Sequence, residues 1–123
     1  MTKNDFSAWA EKFLKAWANL TPKAALSTLS KDVKYYESPF TAPCKSWEDV
    51  EKLWRVVPLN QKDITYKHDV LMIEEGLGLI HWNVTRTTVP ADKYQEFDGV
   101  FLVRLNEKGL CTMFKQWRMI NES

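Results

Sequence analysis

The segment over residues 95–109 has the sequence QEFDGVFLVRLNEKG, an alternating stretch that runs into a turn. Phe97, Phe101 and Val103 recur on one side, which is the period of a β-strand. The last four residues begin with Asn and end with Gly, a composition typical of a tight hairpin connection. We therefore predict a long strand over 95–105 that pairs with the segment after the turn.

Both flanks of this segment show the same period of two. Further strands are predicted over 64–72, 79–88 and 110–120, with turns at 74–76 and 89–92. Long strands joined by short turns form an antiparallel meander, because a two- to five-residue connection reverses the chain direction.

The first half of the chain has a helical period instead. Apolar residues recur every three or four positions over 5–19, again after the Thr21–Pro22 pair, and once more after Ser46, whose hydroxyl group can cap a helix. A short strand over 32–36 separates the second helix from the third. The sequence predicts an α+β fold, with three N-terminal helices packed on an antiparallel sheet, in a single domain over 1–123.

Composition and charge exclude several classes of function. Seventeen Lys and Arg residues against 16 Asp and Glu residues give a formal charge of +1, without the basic surface of a nucleic-acid binder. No apolar run is long enough to span a bilayer, and the polar N-terminus is unlike a signal peptide. Cys44 and Cys111 fit no metal-binding spacing and favour a reducing, cytoplasmic location. We expect no cofactor, no metal, no nucleic-acid partner and no membrane partner.

The predicted strand over 95–105 is apolar on both sides. Val100 and Leu102 lie opposite Phe97 and Phe101, whereas a strand with one wet face alternates cleanly. Helices can cover only one face of the sheet. We predict that a second copy covers the outer face, forming a homodimer; scattered exposed apolar residues are the alternative.

Aromatic residues make up 13% of the chain, with six Trp, four Tyr and six Phe residues. Such rings either build a bulky core or line a concave ligand site, since ligand pockets are mostly apolar and aromatic. The sequence leaves both explanations open.

Three stretches resemble a known family: DVKYYESP at 32–39, WEDV at 47–50 with Trp54, and VRLNEKGL at 103–110. With the order of elements, they make nearly the whole chain similar to the nuclear transport factor 2-like superfamily, in its SnoaL-like and ketosteroid isomerase-like branch. The resemblance implies a cone-shaped fold, with a curved sheet wrapped around the helices, a pocket between them, and dimers through the outer sheet face. Relatives include isomerases, polyketide cyclases, epoxide hydrolases, dehydratases and domains without catalysis, so the fold alone does not determine the function.

The resemblance also implies which elements bound the pocket: the first helix, the loop after the first strand, the third helix and the last strands. The candidate ligand-binding residues at these places are Phe13, Trp17, Tyr36, Phe40, Trp54, Trp82, Phe101, Phe114 and Arg118. If the last strand has the opposite parity, Trp117 replaces both Phe114 and Arg118.

The groups of a ketosteroid isomerase are missing at the positions that the resemblance assigns to them. Its base falls at Ser38 and its oxyanion acid at Phe101, and the first helix has no tyrosine. Glu37 is adjacent to the base position, but strand alternation turns it to the opposite face. We therefore do not predict an isomerase of this type.

A cyclase, dehydratase or hydrolase needs only one tuned base in an apolar cleft. The candidates are His81, Glu37 and Asp98, each of which has the alternative of being a hydrogen-bonded or solvated strand residue. Arg104 and Arg118 are candidates to orient an anionic ligand.

The sequence is compatible with three alternative functions. We favour binding of a small, largely apolar molecule in an aromatic-lined conical pocket, with no reaction assigned. A general acid/base enzyme is the second reading, and a non-catalytic dimerisation module whose cone is filled by its own side chains is the third.

Overall fold

The computed structural model describes residues 1–121. Within these residues it contains four helices and one five-stranded sheet. In chain order the elements are α1 (Lys3–Ala18), α2 (Pro22–Leu26), β1 (Leu29–Tyr36), α3 (Trp47–Trp54), α4 (Val57–Asn60), β2 (Gln61–Glu74), β3 (Leu77–Thr88), β4 (Tyr94–Leu105) and β5 (Cys111–Asn121). The α+β class predicted from the sequence is confirmed, with one short helix more than expected.

The strands lie in the order β1-β5-β4-β3-β2 within the sheet. From β2 to β5, each strand pairs antiparallel with the next, as the predicted meander requires. β1 instead joins β5 in parallel, so the sheet is mixed rather than antiparallel throughout. The alternation of side chains shows which residues share a face of a strand, but it does not report the direction of the partner strand.

α1 begins at a capping box that the sequence analysis missed. The Thr2 hydroxyl accepts the backbone N–H of Asp5 at 3.3 Å, and the Asp5 carboxylate accepts the N–H of Thr2 at 2.8 Å. This reciprocal pair satisfies donors that the helix geometry leaves open. The inward side of α1 is aromatic, and its large rings are buried: Phe6, Trp9, Phe13 and Trp17.

The helices after β1 are short and shape one end of the molecule. Ser46 caps α3 as predicted, with its hydroxyl accepting the N–H of Asp49 at 3.4 Å. α3 ends at Trp54, and α4 follows with Pro58 in its first turn, where a missing N–H costs no helical bond. α3 and α4 therefore lead the chain directly into β2.

Two glycines allow close approaches between neighbouring elements of the fold. A Cβ atom at Gly78 would lie 2.4 Å from the Phe6 ring, and a Cβ atom at Gly99 would lie 2.1 Å from the carbonyl oxygen of Trp117. Both distances are far below van der Waals contact. Glycine is therefore needed for α1 to lie against β3 and for β4 to approach β5.

The two faces of the sheet differ in what covers them. The helices cover the inner face, which holds the buried rings of β3, β4 and β5. The outer face carries His81 of β3 and Asp98 of β4, together with Val100 and the exposed Trp117 and Met119. This outer face has no covering layer among residues 1–121.

Candidate functional site

A cavity of about 150 Å³ opens at the end of the sheet where α1, α3 and α4 meet the strands. Its lining has an apolar part and a polar part. The apolar part comes mainly from the helices and from β1: Phe13, Trp17, Tyr35, Leu53, Trp54, Val56 and Val57. The polar part comes from the strands and the residue after β1: Glu37, Gln61, Arg86, Gln116 and Arg118.

The structure places several of the predicted pocket residues at this cavity. Phe13, Trp17 and Trp54 form its aromatic wall, and Arg118 lies on its polar side. The Phe13 and Trp54 rings meet edge to face, with centroids 5.5 Å apart. Aromatic rings in this arrangement form a rigid wall, because edge-to-face packing adds to the burial of each ring.

Three other predicted pocket rings belong to the core instead. Trp82, Phe101 and Phe114 are fully buried, and none of them reaches the cavity surface. The Trp82 ring stacks on Phe101 with centroids 4.9 Å apart, and Phe101 lies 5.0 Å from Phe114. These rings fill the space below the cavity and reduce it to the size of one small ring system.

The two remaining predicted residues lie away from the cavity. The Tyr36 ring is on the outer face, where the Lys115 ammonium group lies 5.0 Å from its centroid. Phe40 is in the loop after β1 and is 98% exposed. Tyr35, rather than Tyr36, faces the cavity, because β1 pairs Tyr35 with the inward-facing Phe114.

The same register brings Glu37 to the cavity. Glu37 follows β1 at the parity of Tyr35, so it lines the cavity, which corrects the expectation that alternation turns it away. The backbone carbonyl of Glu37 accepts a hydrogen bond of 2.9 Å from Nε2 of Gln116. This bond attaches the loop after β1 to β5 and fixes the start of the loop at the cavity.

The parity of the last strand is likewise settled. Phe114, Gln116 and Arg118 all face inward on β5, while Trp117 points to the outer face. The Phe114 and Arg118 alternative is therefore the one that the structure has, although Phe114 lies in the core below the cavity.

Tyr35 presents a hydroxyl group that stays protonated. Burial raises the pKa of Tyr35 well above its ordinary value, an effect that a hydrogen-bonding contact with the Trp54 side chain only partly offsets. The Tyr35 ring stacks on Phe114, with centroids 4.3 Å apart. Tyr35 is thus a fixed hydrogen-bond donor at the cavity.

Cations lie on the polar side of the cavity. The guanidinium groups of Arg86 and Arg118 lie 4.6 Å and 5.0 Å from the centroid of the Phe97 ring. Such contacts hold a guanidinium group in place through the negative face of the ring. Arg104, the other candidate for an anionic ligand, lies elsewhere and donates to the Glu75 carbonyl in a hairpin turn.

Two of the three candidate bases lie on the outer face, away from the cavity. Nε2 of His81 is 2.8 Å from a carboxylate oxygen of Asp98, and Asn83 donates to the other oxygen. The hydrogen bond from His81 is the main cause that lowers the pKa of Asp98. His81 and Asp98 line a shallow outer groove of about 760 Å³ beside Trp117.

The two cysteine thiols are unpaired and not activated. Burial raises the pKa of Cys111 to about 12, and burial is also the main cause that raises the pKa of Cys44. A nucleophilic cysteine needs a lowered pKa, so neither thiol fits that role.

No helix within residues 1–121 is long and apolar enough to cross a membrane. Over the same residues, no group of three or more His, Cys, Asp and Glu side chains is placed to hold a metal ion.

Comparison with known proteins identifies the family. Residues 10–113 match the family model of the SnoaL-like domain. The monooxygenase nsrQ of Aspergillus novofumigatus (strain IBT 16806) is 27% identical over 99 residues, which cover 78% of this chain and 66% of that protein, just under two thirds of its length.

Solved structures share the fold at low sequence identity. A ketosteroid isomerase-like protein from Erwinia carotovora atroseptica SCRI1043 superposes with a TM-score of 0.75 at 14% identity, covering 95% of each chain. SalBIII, an epoxide hydrolase/cyclase-like enzyme of salinomycin pyran ring formation, superposes with a TM-score of 0.81 at 6% identity, again over 95% of each chain. The family match spans most of the sequence and agrees with the fold, and the chain belongs to the SnoaL-like domain family.

Proposed function

We propose that this protein binds a small, largely apolar molecule in the cavity between α1, α3, α4 and the sheet. The observation that carries the proposal is the division of the cavity into an aromatic wall and a facing set of polar side chains. An apolar wall with a few convergent polar groups is the usual composition of a ligand site. A cavity of about 150 Å³ is the size that accommodates a benzene ring.

A specific observation also favours the acid/base enzyme. Glu37, a proton acceptor, and Tyr35, a protonated donor, line the same cavity from positions two residues apart. This pair suits removal of a proton from the carbon next to a carbonyl group. The C–H bond breaks, the proton passes to the Glu37 carboxylate, and the electron pair moves to the carbonyl oxygen, which accepts from Tyr35. The similarity of the fold to SalBIII, an epoxide hydrolase/cyclase-like enzyme, supports this second candidate.

Acetophenone tests both candidates, because it is a single ring with a carbonyl group and exchangeable methyl protons. Binding is expected to shift the indole NMR signals of Trp17 and Trp54, which line the cavity. Catalysis is expected to exchange the methyl protons for deuterium in heavy water faster than buffer does. Glu37→Gln should abolish the added exchange and leave binding in place.

Asp98→Asn is the matched control, because it makes the same chemical change on the outer face. If Asp98→Asn stops exchange and Glu37→Gln does not, the catalytic residue lies in the outer groove and catalysis by Glu37 at the cavity is refuted. If acetophenone binds without any exchange, the first candidate stands alone. If it shifts no cavity signal, binding at this site is refuted for such molecules.

We also propose that a second copy covers the outer sheet face. The described chain exposes 7422 Å², whereas a folded monomer of this size exposes about 6,800 Å². The outer face exposes the apolar side chains of Trp117 and Met119, which are 42% and 78% exposed. Two unpaired thiols, Cys44 and Cys111, support the further proposal of a reducing, cytoplasmic environment.

A further inference from the structure

Gln61 lies at the cavity with its amide orientation fixed. Its side chain is buried, with 8% of the residue exposed, and its Oε1 atom accepts a hydrogen bond of 2.7 Å from Nε1 of Trp17. An indole N–H can only donate, so the oxygen of the amide must face Trp17. The NH₂ group of Gln61 therefore points away from Trp17, and within residues 1–121 no acceptor bonds to it.

Gln116 has the opposite orientation. It is 7% exposed, and its Nε2 atom donates to the carbonyl oxygen of Glu37. A backbone carbonyl can only accept, so the nitrogen of this amide must face Glu37. The Oε1 atom of Gln116 is left over, and no donor in the described part of the chain bonds to it.

The cavity is thus lined by one amide donor and one amide acceptor, and the hydrogen bond that orients each amide is buried for Gln61 and partly buried for Gln116. Both free amide atoms reach the surface of the cavity, since neither is fully buried. A ligand that displaces water from them gains when it pairs both, and loses when it leaves one without a partner. We propose that Gln61 and Gln116 select a one-ring molecule that carries both a carbonyl oxygen and a hydroxyl group. One lone pair of the carbonyl oxygen accepts from Gln61, which leaves the other for Tyr35, and the hydroxyl group donates to Gln116.

This inference rests on the proposed function, since it names the ligand class of the same cavity. Specificity of this kind comes from polar groups that a wrong ligand leaves unpaired, rather than from the apolar wall. The wall of Phe13, Trp17 and Trp54 accepts any flat ring of the right size. The two glutamines discriminate among such rings by their polar substituents.

Four probes test the proposal by NMR titration of the full chain. Acetophenone offers a carbonyl group only, phenol offers a hydroxyl group only, and meta- and para-hydroxyacetophenone offer both at two spacings. We expect the better of the two hydroxyacetophenones to bind roughly fivefold tighter than either single-group probe, the gain from one neutral hydrogen bond. The side-chain amide signals of Gln61 should move with acetophenone, and those of Gln116 with phenol.

Two variants separate the role of the Gln61 donor from that of the Gln116 acceptor. Gln61→Glu keeps an oxygen for the Trp17 indole but replaces the NH₂ donor, so it should weaken acetophenone roughly fivefold and leave phenol unchanged. Gln116→Met keeps the length of the side chain but removes the acceptor together with the donor to the Glu37 carbonyl, so it should weaken phenol more than acetophenone. Each variant is the control for the other, and the Trp17 indole signal reports that the cavity is still folded.

The outcomes distinguish this inference from the function on which it rests. If neither hydroxyacetophenone binds tighter than both single-group probes, or if either variant weakens acetophenone and phenol equally, the glutamines do not select the ligand. Binding of acetophenone would still uphold the proposed function in that case. If no probe shifts any cavity signal, the inference and the proposed function fail together.

Discussion

The ring of Tyr35 lies parallel to the ring of Phe114, with centroids 4.3 Å apart and an interplanar angle of 8°. This stacking joins β1 to β5 on the inner face and places the Tyr35 hydroxyl at the cavity. The hydroxyl and the ring of Tyr35 therefore have separable roles. The ring holds the two strands together, and the hydroxyl is available to a ligand.

Tyr35→Phe is expected to keep the stacking and to remove only the donor. The free energy of unfolding in urea should change by less than about 1 kcal/mol, whereas Tyr35→Ala should lose about 3–5 kcal/mol through the cavity it leaves. If Glu37 catalyses proton exchange, Tyr35→Phe should slow the exchange of acetophenone by about 100-fold, because the enolate oxygen loses its donor. Unchanged exchange in Tyr35→Phe would show that this hydroxyl is not used.

Phe101→Leu is expected to deepen the cavity. Phe101 is fully buried among Trp82, Phe114 and Phe13, directly below the aromatic wall. Removing part of this ring should cost about 1–3 kcal/mol of stability and let two-ring ketones bind that the parent excludes. Thermal unfolding and NMR titration with a naphthyl ketone measure the two effects. Phe6→Leu is the control, because Phe6 packs on Gly78 and does not line the cavity.

The contact of α1 with β2 is expected to make stability depend on pH. Hydrogen bonds from Tyr66 and then His68 lower the pKa of Glu11 below its ordinary value of 4.5. A carboxylate with a lowered pKa stabilises the fold above its unfolded value, and the stabilisation is lost as the pH falls through the lowered value. Tyr66→Phe should therefore be less stable than the parent at neutral pH, with the difference shrinking as the pH falls below 4.5.

Urea unfolding of the parent and of Tyr66→Phe at neutral and acidic pH measures this difference. Tyr94→Phe is the control, since Tyr94 is an exposed tyrosine on β4. A gap between the parent and Tyr66→Phe that widens in acid would contradict the assignment of the effect to Glu11.

Trp117→Glu is expected to separate the proposed dimer. Trp117 pairs with Val100 on the outer face, and a carboxylate there would be buried against an apolar surface of the partner. Sedimentation velocity should show a dimer for the parent and a monomer for the variant. Leu59→Glu, which places the same charge at an exposed apolar residue of α4, should leave the dimer intact. A monomeric parent would refute the dimer.

Sequence patterns predicted the meander because each of its strands alternates clearly. The Ile80, Trp82 and Val84 series on β3 and the Phe97, Phe101 series on β4 face inward, as their period requires. β1 gave no such signal at its end. Two adjacent tyrosines have the same polarity, so the sequence could not show which one faces the helices.

Because the sequence does not show which tyrosine of β1 faces inward, only part of the site could be predicted. A shift of one residue exchanges Tyr36 for Tyr35 and brings Glu37 to the cavity. Trp82 and Phe114 lie in the core because α1 packs closely against the sheet. Sequence periodicity shows which face a residue is on, but not the distance between the helix and the sheet. Gln116 did carry a signal, since it is a polar residue at the parity of Phe114 on the last strand. Gln61 carried none, because it precedes the strand predicted over 64–72 and a register shift between Lys62 and Thr65 separates it from that alternation.

Glu37, Gln116 and Arg118 line the cavity on one side and the outer groove on the other. These three side chains therefore separate the cavity from the outer groove and are part of both. A second copy bound at the outer groove would contact the same three side chains that a ligand contacts in the cavity. If the proposed dimer and the proposed ligand each alter the positions of these side chains, linkage requires that each alter the affinity for the other by the same factor, so that dimerisation and ligand binding become coupled equilibria.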